Sequence, residues 1–320
     1  MDDFFLGFEL PDSTNSFSYE DQFLFMGSCF AENIGREMES LQFKVRQNPN
    51  GILYHPESIL DCLGRIIRKD YYEEEHLVQR EDAVHSWKHH GLIYASSTAG
   101  FLEKANNQID IFHNYLKTSD CLVITFGTAH YWYHLEKGVS VANCHKQPSS
   151  LFDKRLSKAE ALQEAYAQLL NEIKSLNPTL KVIVSVSPVR YKRDGLIESN
   201  RSKARLLLLC EYLASRFEQV EYFPAYELLI DQLRDYRFYA ADRVHPTKEA
   251  VAWIWKKFLG LHFSEQTSLL VKKVEAVNRS LAHRFLFPES EAAEKFRKDL
   301  QRKIELLKKD ISHFEPRPQA

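Results

Sequence analysis

A serine near the start of the chain lies where a buried strand is predicted to pass into a helix. The apolar run 23–26 predicts the strand, and residues 31–41 predict the helix that follows it. Ser28 lies in the turn between them, after Gly27, which permits a tight backbone. Unpaired N–H groups at a helix start suit a developing oxyanion. Ser28 is therefore a candidate nucleophile; the alternatives are a simple N-cap serine, or Cys29 as an attacking thiol.

An aspartate and a histidine three positions apart precede the last predicted core helix. A serine hydroxyl needs a base to remove its proton, and histidine titrates in the range for this work. The histidine needs an acceptor that fixes its tautomer, and the spacing of Asp242 and His245 lets the carboxylate reach the ring. We therefore expect His245 to activate Ser28 and Asp242 to orient His245. Taken alone, the spacing also fits a capping aspartate beside a surface histidine.

The elements that would position these residues alternate along the chain. Short apolar runs predict strands at 23–26, 43–46, 121–126, 181–186 and 220–223. Helices are predicted at 31–41, 57–68, 157–176, 200–217 and after Pro246. Ser157 and Glu160 have the spacing of a capping box at the start of the third of these helices. This alternation is typical of an α/β protein with a parallel sheet covered by helices.

Two stretches that interrupt the alternation are rich in aromatic and histidine side chains. Residues 70–100 and 130–157 are interpreted as insertions, the second with a hairpin that turns near Lys137 and Gly138. Aromatic rings beside polar donors suit a sugar or another polar ester. The candidate substrate-binding residues are His55, Trp87, His89, Tyr131 and Trp132. The alternating aromatics equally fit strands that pack the insertions.

The end of the chain differs in composition from the rest. Residues 289–312 are dense in Lys, Glu and Leu, which predicts a charged amphipathic helix. We therefore expect a core domain at 1–264 and a helical extension at 265–320. Such a helix forms either a solvated face over the domain or a contact in a homodimer.

Composition argues against several classes of function. A formal net charge of −2 gives no basic surface for nucleic acid, and no run of about 18 apolar residues predicts a membrane span. The five cysteines are scattered, and neither C-x-x-C nor H-E-x-x-H occurs, so we expect reduced thiols, no metal and no cofactor. The acidic N-terminal segment is unlike a signal peptide, so a cytoplasmic location is expected.

The segment Gly27-Ser28-Cys29-Phe30-Ala31, combined with D-x-x-H-P at 242–246, resembles the GSCFA family of the SGNH (GDSL-like) hydrolase superfamily. The resemblance runs from about residue 20 to residue 260. It implies a three-layer, flavodoxin-like α/β fold with a five-stranded parallel sheet in the order 2-1-3-4-5. It also implies a metal-independent, esterase-like active site.

The implied oxyanion hole is where this sequence departs from the superfamily pattern. The pattern supplies a glycine N–H and an asparagine side chain, but Ala129 stands where the asparagine is expected after the third sheet strand. Other residues near this edge can each give a hydrogen bond. The candidates for the oxyanion hole are Ser28, Gly51, Asn50, Thr128 and His130. For Asn50 and Gly51 the alternative is an ordinary Asn-Gly turn.

The activity implied by the resemblance is ester hydrolysis through an acyl-Ser28 intermediate. The expected partner is a small-molecule or carbohydrate ester, with O-acetylated carbohydrate as the first substrate class. One alternative is an O-acyltransferase that passes the acyl group to a sugar hydroxyl. Another is a non-catalytic carbohydrate-binding module, which the alanine at position 129 favours, whereas the presence of Ser28, Asp242 and His245 favours an enzyme.

Overall fold

A sheet of five parallel strands forms the centre of the structure, a computed structural model that describes residues 6–316. The strands of the chain are β1 (Gln22–Gly27), β2 (Lys44–Gln47), β3 (Leu77–Arg80), β4 (Ala83–Ser86), β5 (Cys121–Phe126), β6 (His130–His134), β7 (Val139–Val141), β8 (Phe152–Leu156), β9 (Lys181–Val186) and β10 (Val220–Tyr222). The central sheet has the order β2-β1-β5-β9-β10. Counted along the chain this is 2-1-3-4-5, so the predicted α/β fold and sheet order are confirmed.

Helices cover both faces of the sheet. They are α1 (Cys29–Ser40), α2 (Pro56–Arg68), α3 (Thr98–Thr118), α4 (Ala159–Leu176), α5 (Leu196–Arg216), α6 (Ala225–Glu227), α7 (Lys248–His262), α8 (Glu265–Leu281) and α9 (Glu291–Asp310). In β1, Phe23 and Phe25 pack into one core with α1, α7 and α8. The intervening Leu24 and Met26 pack into the opposite core with α2, α4 and α5. Burial on both faces explains why the strands are continuous apolar runs rather than alternating ones.

Helix α3 is not among the elements that the apolar pattern predicts above. It is 21 residues long, and it buries about one side chain per turn against its surroundings. The buried residues are Phe101, Ala105, Ile109, Phe112 and Leu116. This stripe has helical spacing, but it is narrow and is separated by polar residues such as Asn106 and Asn107, which lowers the sequence signal.

The predicted capping box at Ser157 is wrong. Lys158 is the N-cap of α4, and no side chain caps this helix. The hydroxyl of Ser157 instead donates to Glu57 Oε1 at 3.1 Å and lies 3.0 Å from His55 Nε2. The Ser157 hydroxyl therefore bonds to residues distant in the sequence and is not available to cap the helix that the local pattern predicts.

The insertions fold as small antiparallel sheets at one end of the central sheet. Strands β3 and β4 form a hairpin, and β6 pairs with both β7 and β8. The predicted turn near Lys137 and Gly138 is confirmed, with Gly138 in the left-handed region at φ +70°. Residues 130–134 therefore place their aromatic side chains alternately on the two faces of β6.

The C-terminal helices pack on the face of the sheet that carries α1 and α7. The predicted charged helix is confirmed as α9, which nevertheless buries Ile304 and Leu307 in the same core as Val274 of α8. The Asn278 side chain donates to the Ser40 carbonyl at the end of α1. In the part of the chain that the structure describes, no helix has the length and apolar character needed to cross a membrane.

Candidate active site

A cleft of about 1080 Å³ opens at the carboxyl ends of β1, β5 and β9. Ligands of open parallel sheets bind at this edge, because the loops that follow the strands converge there. Ser28 after β1 and the loop that precedes α7 both line the cleft. The three residues predicted to act together, Ser28, Asp242 and His245, therefore lie around one cavity.

The backbone on both sides of Ser28 is held in a fixed conformation. Gly27 has φ +125°, and a Cβ there would overlap the Thr125 carbonyl oxygen of the neighbouring strand. The Gly27 N–H donates to Asn48 Oδ1 at 2.9 Å, and the Ser28 N–H donates to the Thr125 carbonyl at 3.0 Å. Only glycine fits at position 27 without strain, because the site needs both a positive φ and the absence of a side chain.

The side chain of Ser28 has no hydrogen-bond partner within residues 6–316. Ser28 is at the N-cap position of α1, yet its hydroxyl makes no capping bond, and its Oγ is buried. The residue is 1% exposed although it lines the cleft. A buried hydroxyl usually has a partner, so the unpaired Oγ fits a group that reacts with or binds a ligand better than it fits a capping serine.

Asp242 and His245 form a tightly bonded pair on the loop before α7. Their Oδ2 and Nδ1 atoms are 2.6 Å apart, and Asp242 Oδ1 accepts hydrogen bonds from the Val244 and His245 N–H groups. These bonds, led by the one from the His245 ring, hold the pKa of Asp242 well below its usual range. A carboxylate at Nδ1 favours the tautomer that leaves Nε2 free to accept a proton.

The acid–base pair is much more open to solvent than the serine. The side chains of His245 and Asp242 are 53% and 49% exposed. No hydrogen bond joins His245 to Ser28, because Ser28 Oγ has no partner in the described chain. Catalytic hydrogen bonds are often long in the absence of substrate and shorten when a ligand is bound. The structure thus places Ser28 and His245 on one cleft, without direct contact between them.

Most of the predicted oxyanion donors bond to other protein groups. The Gly51 N–H donates to the Asn48 carbonyl, and Asn50 Nδ2 donates to Tyr72 Oη at 2.6 Å and to the Lys88 carbonyl at 3.0 Å. Neither Gly51 nor Asn50 lines the cleft. The Ser28 N–H is likewise bonded within the sheet, as described above. These donors are placed to hold the turn rather than to face a ligand.

The residues after β5 differ in what they offer to the cleft. Thr128 Oγ1 is 3.1 Å from Ser202 Oγ and accepts the His130 N–H, and Ala129 is fully buried with its N–H on Ser202 Oγ. His130 lines the cleft, and its Nε2 is buried and has no hydrogen-bond partner in the described chain; Glu198 Oε2 is 3.9 Å away. Of the residues predicted to replace the missing asparagine, His130 alone has an uncommitted side-chain nitrogen at the cleft.

The predicted substrate-binding residues separate into two groups. His55, Tyr131 and Trp132 line the cleft, and Trp132 is 41% exposed. Trp87 is buried against Phe152 and other side chains of the insertion core, so it does not reach the cleft. His89 is also buried and does not reach the cleft, because its ring packs between Tyr72 and Phe101.

His55 is buried although it borders the cleft. Its Nδ1 accepts the Glu57 N–H at 3.1 Å, which leaves the proton on Nε2 to face Ser157 Oγ. Burial lowers the pKa of His55 to about 3. His55 is therefore a neutral hydrogen-bond donor that fixes the start of α2.

Lys203 is a residue of this region that the sequence patterns above do not identify. It is 1% exposed, and its Nζ donates to the carbonyls of Gly127 and Ser187 at 2.6 Å each. Burial lowers its pKa to about 7. The sequence does contain a signal for the burial of this lysine. Lys203, Leu206 and Cys210 are at helical spacing and share the buried face of α5.

Two other chemistries are less well supported by the geometry. Burial raises the pKa of the Cys29 thiol, which disfavours the thiolate that a cysteine nucleophile needs. Among residues 6–316, no three His, Cys, Asp or Glu side chains are grouped closely enough to hold a metal ion.

The fold and the cleft together define an α/β protein with a serine, a histidine and an aspartate at the carboxyl edge of its sheet. Residues 22–258 match the GSCFA family, and the chain therefore belongs to that family, as the Gly27–Ala31 segment predicts. No curated protein sequence matches the chain.

Several solved structures resemble parts of the fold at low identity. A Streptococcus pneumonia structure provisionally described as a platelet activating factor is 13% identical, with a TM-score of 0.38 over 75% of this chain and 84% of that one. A Clostridium thermocellum family 3 carbohydrate esterase is 11% identical, with a TM-score of 0.34 over 78% of this chain and 97% of that one. A family 3 carbohydrate esterase from Talaromyces cellulolyticus is 13% identical, with a TM-score of 0.27 over 52% and 67%.

Proposed function

We propose that this protein is a serine ester hydrolase that acts through an acyl-Ser28 intermediate. The observation that carries the proposal is a single cleft lined by an unpaired, buried serine and by a histidine bonded at 2.6 Å to an aspartate. A hydroxyl without a partner is available for attack, and a histidine with a carboxylate at Nδ1 is available to accept its proton.

The reaction begins when Ser28 Oγ attacks the ester carbonyl carbon while His245 Nε2 takes the hydroxyl proton. The tetrahedral intermediate collapses, the ester C–O bond breaks, and the proton on His245 passes to the leaving alcohol. Water then attacks the acyl-serine, with His245 again as the base, and releases the acid and free Ser28. The Asp242 carboxylate stabilises the imidazolium that forms in each step.

The oxyanion is proposed to bind between the start of α1 and His130. Ser28 does not cap α1, and the first-turn N–H groups of a helix have no carbonyl partner within that helix. These amides and the positive end of the helix dipole suit a negative oxygen. The unpaired His130 Nε2 can supply the side-chain hydrogen bond that an asparagine gives in the superfamily pattern.

The base must approach the serine for this chemistry to proceed. His245 lies on an exposed loop, and Arg243 within that loop is in the left-handed region at φ +62°. We propose that a bound ester brings the loop towards Ser28. The exposed Trp132 ring at the cleft offers a surface for a sugar ring, which supports an O-acylated carbohydrate as the substrate.

A second function is favoured by the same gap between base and serine. A carbohydrate-binding module would keep the cleft and its aromatic rings, while His245 and Ser28 would never meet.

An O-acyltransferase would share the acyl-serine, and an added sugar acceptor would then receive the acyl group in place of water.

The test is hydrolysis of p-nitrophenyl acetate by the wild-type protein and by Ser28→Ala and His245→Ala. Both variants should lose turnover by about 10⁴-fold or more, because either change removes the activated nucleophile. Cys29→Ala and His283→Ala serve as matched controls, since they change a neighbouring thiol and a remote exposed histidine. Equal rates in the wild type and the Ser28 variant would reject the hydrolase and favour the binding module.

A further inference from the structure

Charged side chains are unevenly distributed around the cleft. The whole chain is slightly acidic, with 42 Lys and Arg against 44 Asp and Glu. Among residues 6–316 the cleft lining reverses this balance, because its only acids there are Asp194 and Asp242. The cations of the lining are Lys154, Arg190, Lys192, Arg193 and Arg243. Positive charge therefore accumulates where the substrate must enter.

Both acids in the lining have an ionic partner of their own. Asp194 pairs with Lys154, and Asp242 pairs with His245. Within residues 6–316, the four remaining cations form no ion pair. Arg190 is held by Asn200 Oδ1, which fixes its position without neutralising its charge. The excess charge is thus left for a group that the protein does not supply.

The unpaired cations come from two loops that both line the cleft. Arg190, Lys192 and Arg193 belong to the loop between β9 and α5, whose first residue, Ser187, also lines the cleft. Arg243 belongs to the loop before α7, where it lies in sequence between the two members of the Asp242–His245 pair. An anion held between these loops would lie close to the scissile ester, because Ser28 and His245 border the same cavity.

We propose that the ester substrate carries an anionic group, a carboxylate or a phosphate, which these arginines and Lys192 bind. The inference rests on the proposed function and specifies its substrate class. Guanidinium groups bind both anions through paired hydrogen bonds, and a cleft of one charge sign attracts ligands of the other. The aromatic side of the cleft, at Trp132, is left to contact the uncharged part of the molecule.

The test compares three acetate esters that differ in one substituent: methyl para-acetoxybenzoate, which is neutral, para-acetoxybenzoate, and para-acetoxyphenyl phosphate. Their binding to the Ser28→Ala protein, which removes the nucleophile, is measured by calorimetry. At least one anionic ester should bind about 10-fold more tightly than the neutral one. The tighter of the two anions shows whether the group is a carboxylate or a phosphate.

Charge variants identify where the preference arises. Adding Arg193→Gln and Arg243→Gln to the Ser28→Ala protein should abolish most of the preference. Lys174→Gln with Lys295→Gln changes the net charge equally at exposed positions outside the cleft and should leave the preference intact. Raised salt should weaken the binding of the two anionic esters only, because dissolved ions screen the attraction between charges.

The outcomes separate this inference from the proposed hydrolase. Equal binding of all three esters, or a preference that survives the arginine changes, would overturn the anionic substrate. If the wild type hydrolyses the esters without preference, the hydrolase stands and the anionic class fails. If the anionic ester binds preferentially but the wild type never cleaves it, the anionic class stands and the hydrolase fails.

Discussion

Two histidines border the same cleft in opposite environments. His245 has a half-exposed side chain with a carboxylate on Nδ1, whereas His55 is 5% exposed with a backbone N–H on Nδ1. The carboxylate fixes the orientation of the His245 ring. Burial lowers the pKa of His55 to about 3. The difference shows that a histidine beside a cleft is not suited to act as a base by position alone. The group bonded to Nδ1 and the exposure of the ring to water determine whether the ring can accept a proton.

The strongest contrast in activity is expected between variants of these two histidines. His245→Ala should lower kcat/KM for p-nitrophenyl acetate by about 10⁴-fold or more, because Ser28 loses its only proposed base. His55→Gln keeps a side-chain donor for Ser157 and should lower kcat/KM by less than about 10-fold. Similar losses in the two variants, with folding verified by circular dichroism, would remove the distinction between them.

A somewhat smaller effect is expected from the carboxylate that distinguishes His245. Asp242→Asn keeps the size of the side chain but supplies a weaker, neutral partner to Nδ1, and it should lower kcat by about 10³- to 10⁴-fold. The measurement is the initial rate across pH. Asp235→Asn is a matched control, since Asp235 is exposed and caps a short turn nearby. An unchanged rate in the Asp242 variant would show that the pair has a structural role only.

The buried histidines predict how stability depends on pH. Burial lowers the pKa of His55 and His89 to about 3 and that of His145 to about 4, whereas unfolded histidine titrates near about 6.5. Below about pH 6.5 the unfolded chain therefore binds more protons than the folded one. The stability that the neutral rings contribute is present above that pH and is lost as the pH falls towards 4.

Each of these groups should add about 1.4 kcal/mol per pH unit to the slope of unfolding free energy over that range. Urea unfolding at several pH values measures the slope. His89→Phe retains an aromatic ring between Tyr72 and Phe101. It should reduce the slope by about 1.4 kcal/mol per pH unit, because one titrating group is removed. The exposed His283→Ala should leave it unchanged, and an equal reduction in both variants would contradict the assignment.

Lys203 is a single group, so its effect on stability is smaller than that of the three histidines together, and it falls in a higher pH range. Its pKa is lowered to about 7 by burial, so between about pH 7 and pH 10.5 the unfolded chain holds a proton that the folded chain has lost. Stability should therefore rise with pH across this range, by at most about 1.4 kcal/mol per unit. Lys203→Met should flatten the rise, and the exposed Lys174→Met should not.

The sheet and two parts of the site could be predicted because their signals are local. The apolar runs at 121–126 and 181–186 correspond residue for residue to β5 and β9. The turn at Ser28 and the spacing of Asp242 and His245 also depend on neighbours in the sequence. Helix α3 escaped prediction because its apolar stripe is narrow.

The remaining features depend on partners that are distant in the sequence. Ser157 bonds to Glu57 rather than capping its own helix, and the Gly51 N–H is occupied by the Asn48 carbonyl. The charge excess of the cleft arises from loops that meet only after folding. Sequence patterns supply the groups, but the long-range hydrogen bonds decide which of them remain free.

Ser28 is proposed to carry the acyl group, and this can be measured directly. Wild-type protein is mixed with p-nitrophenyl acetate, quenched in acid during turnover, digested and examined by mass spectrometry, with Ser28→Ala and His245→Ala treated in parallel. One acetyl group is expected on Ser28 in the wild type, and none at this position in either variant. Wild-type protein without an acetyl group on Ser28, or with the acetyl group on Cys29 instead, would contradict it.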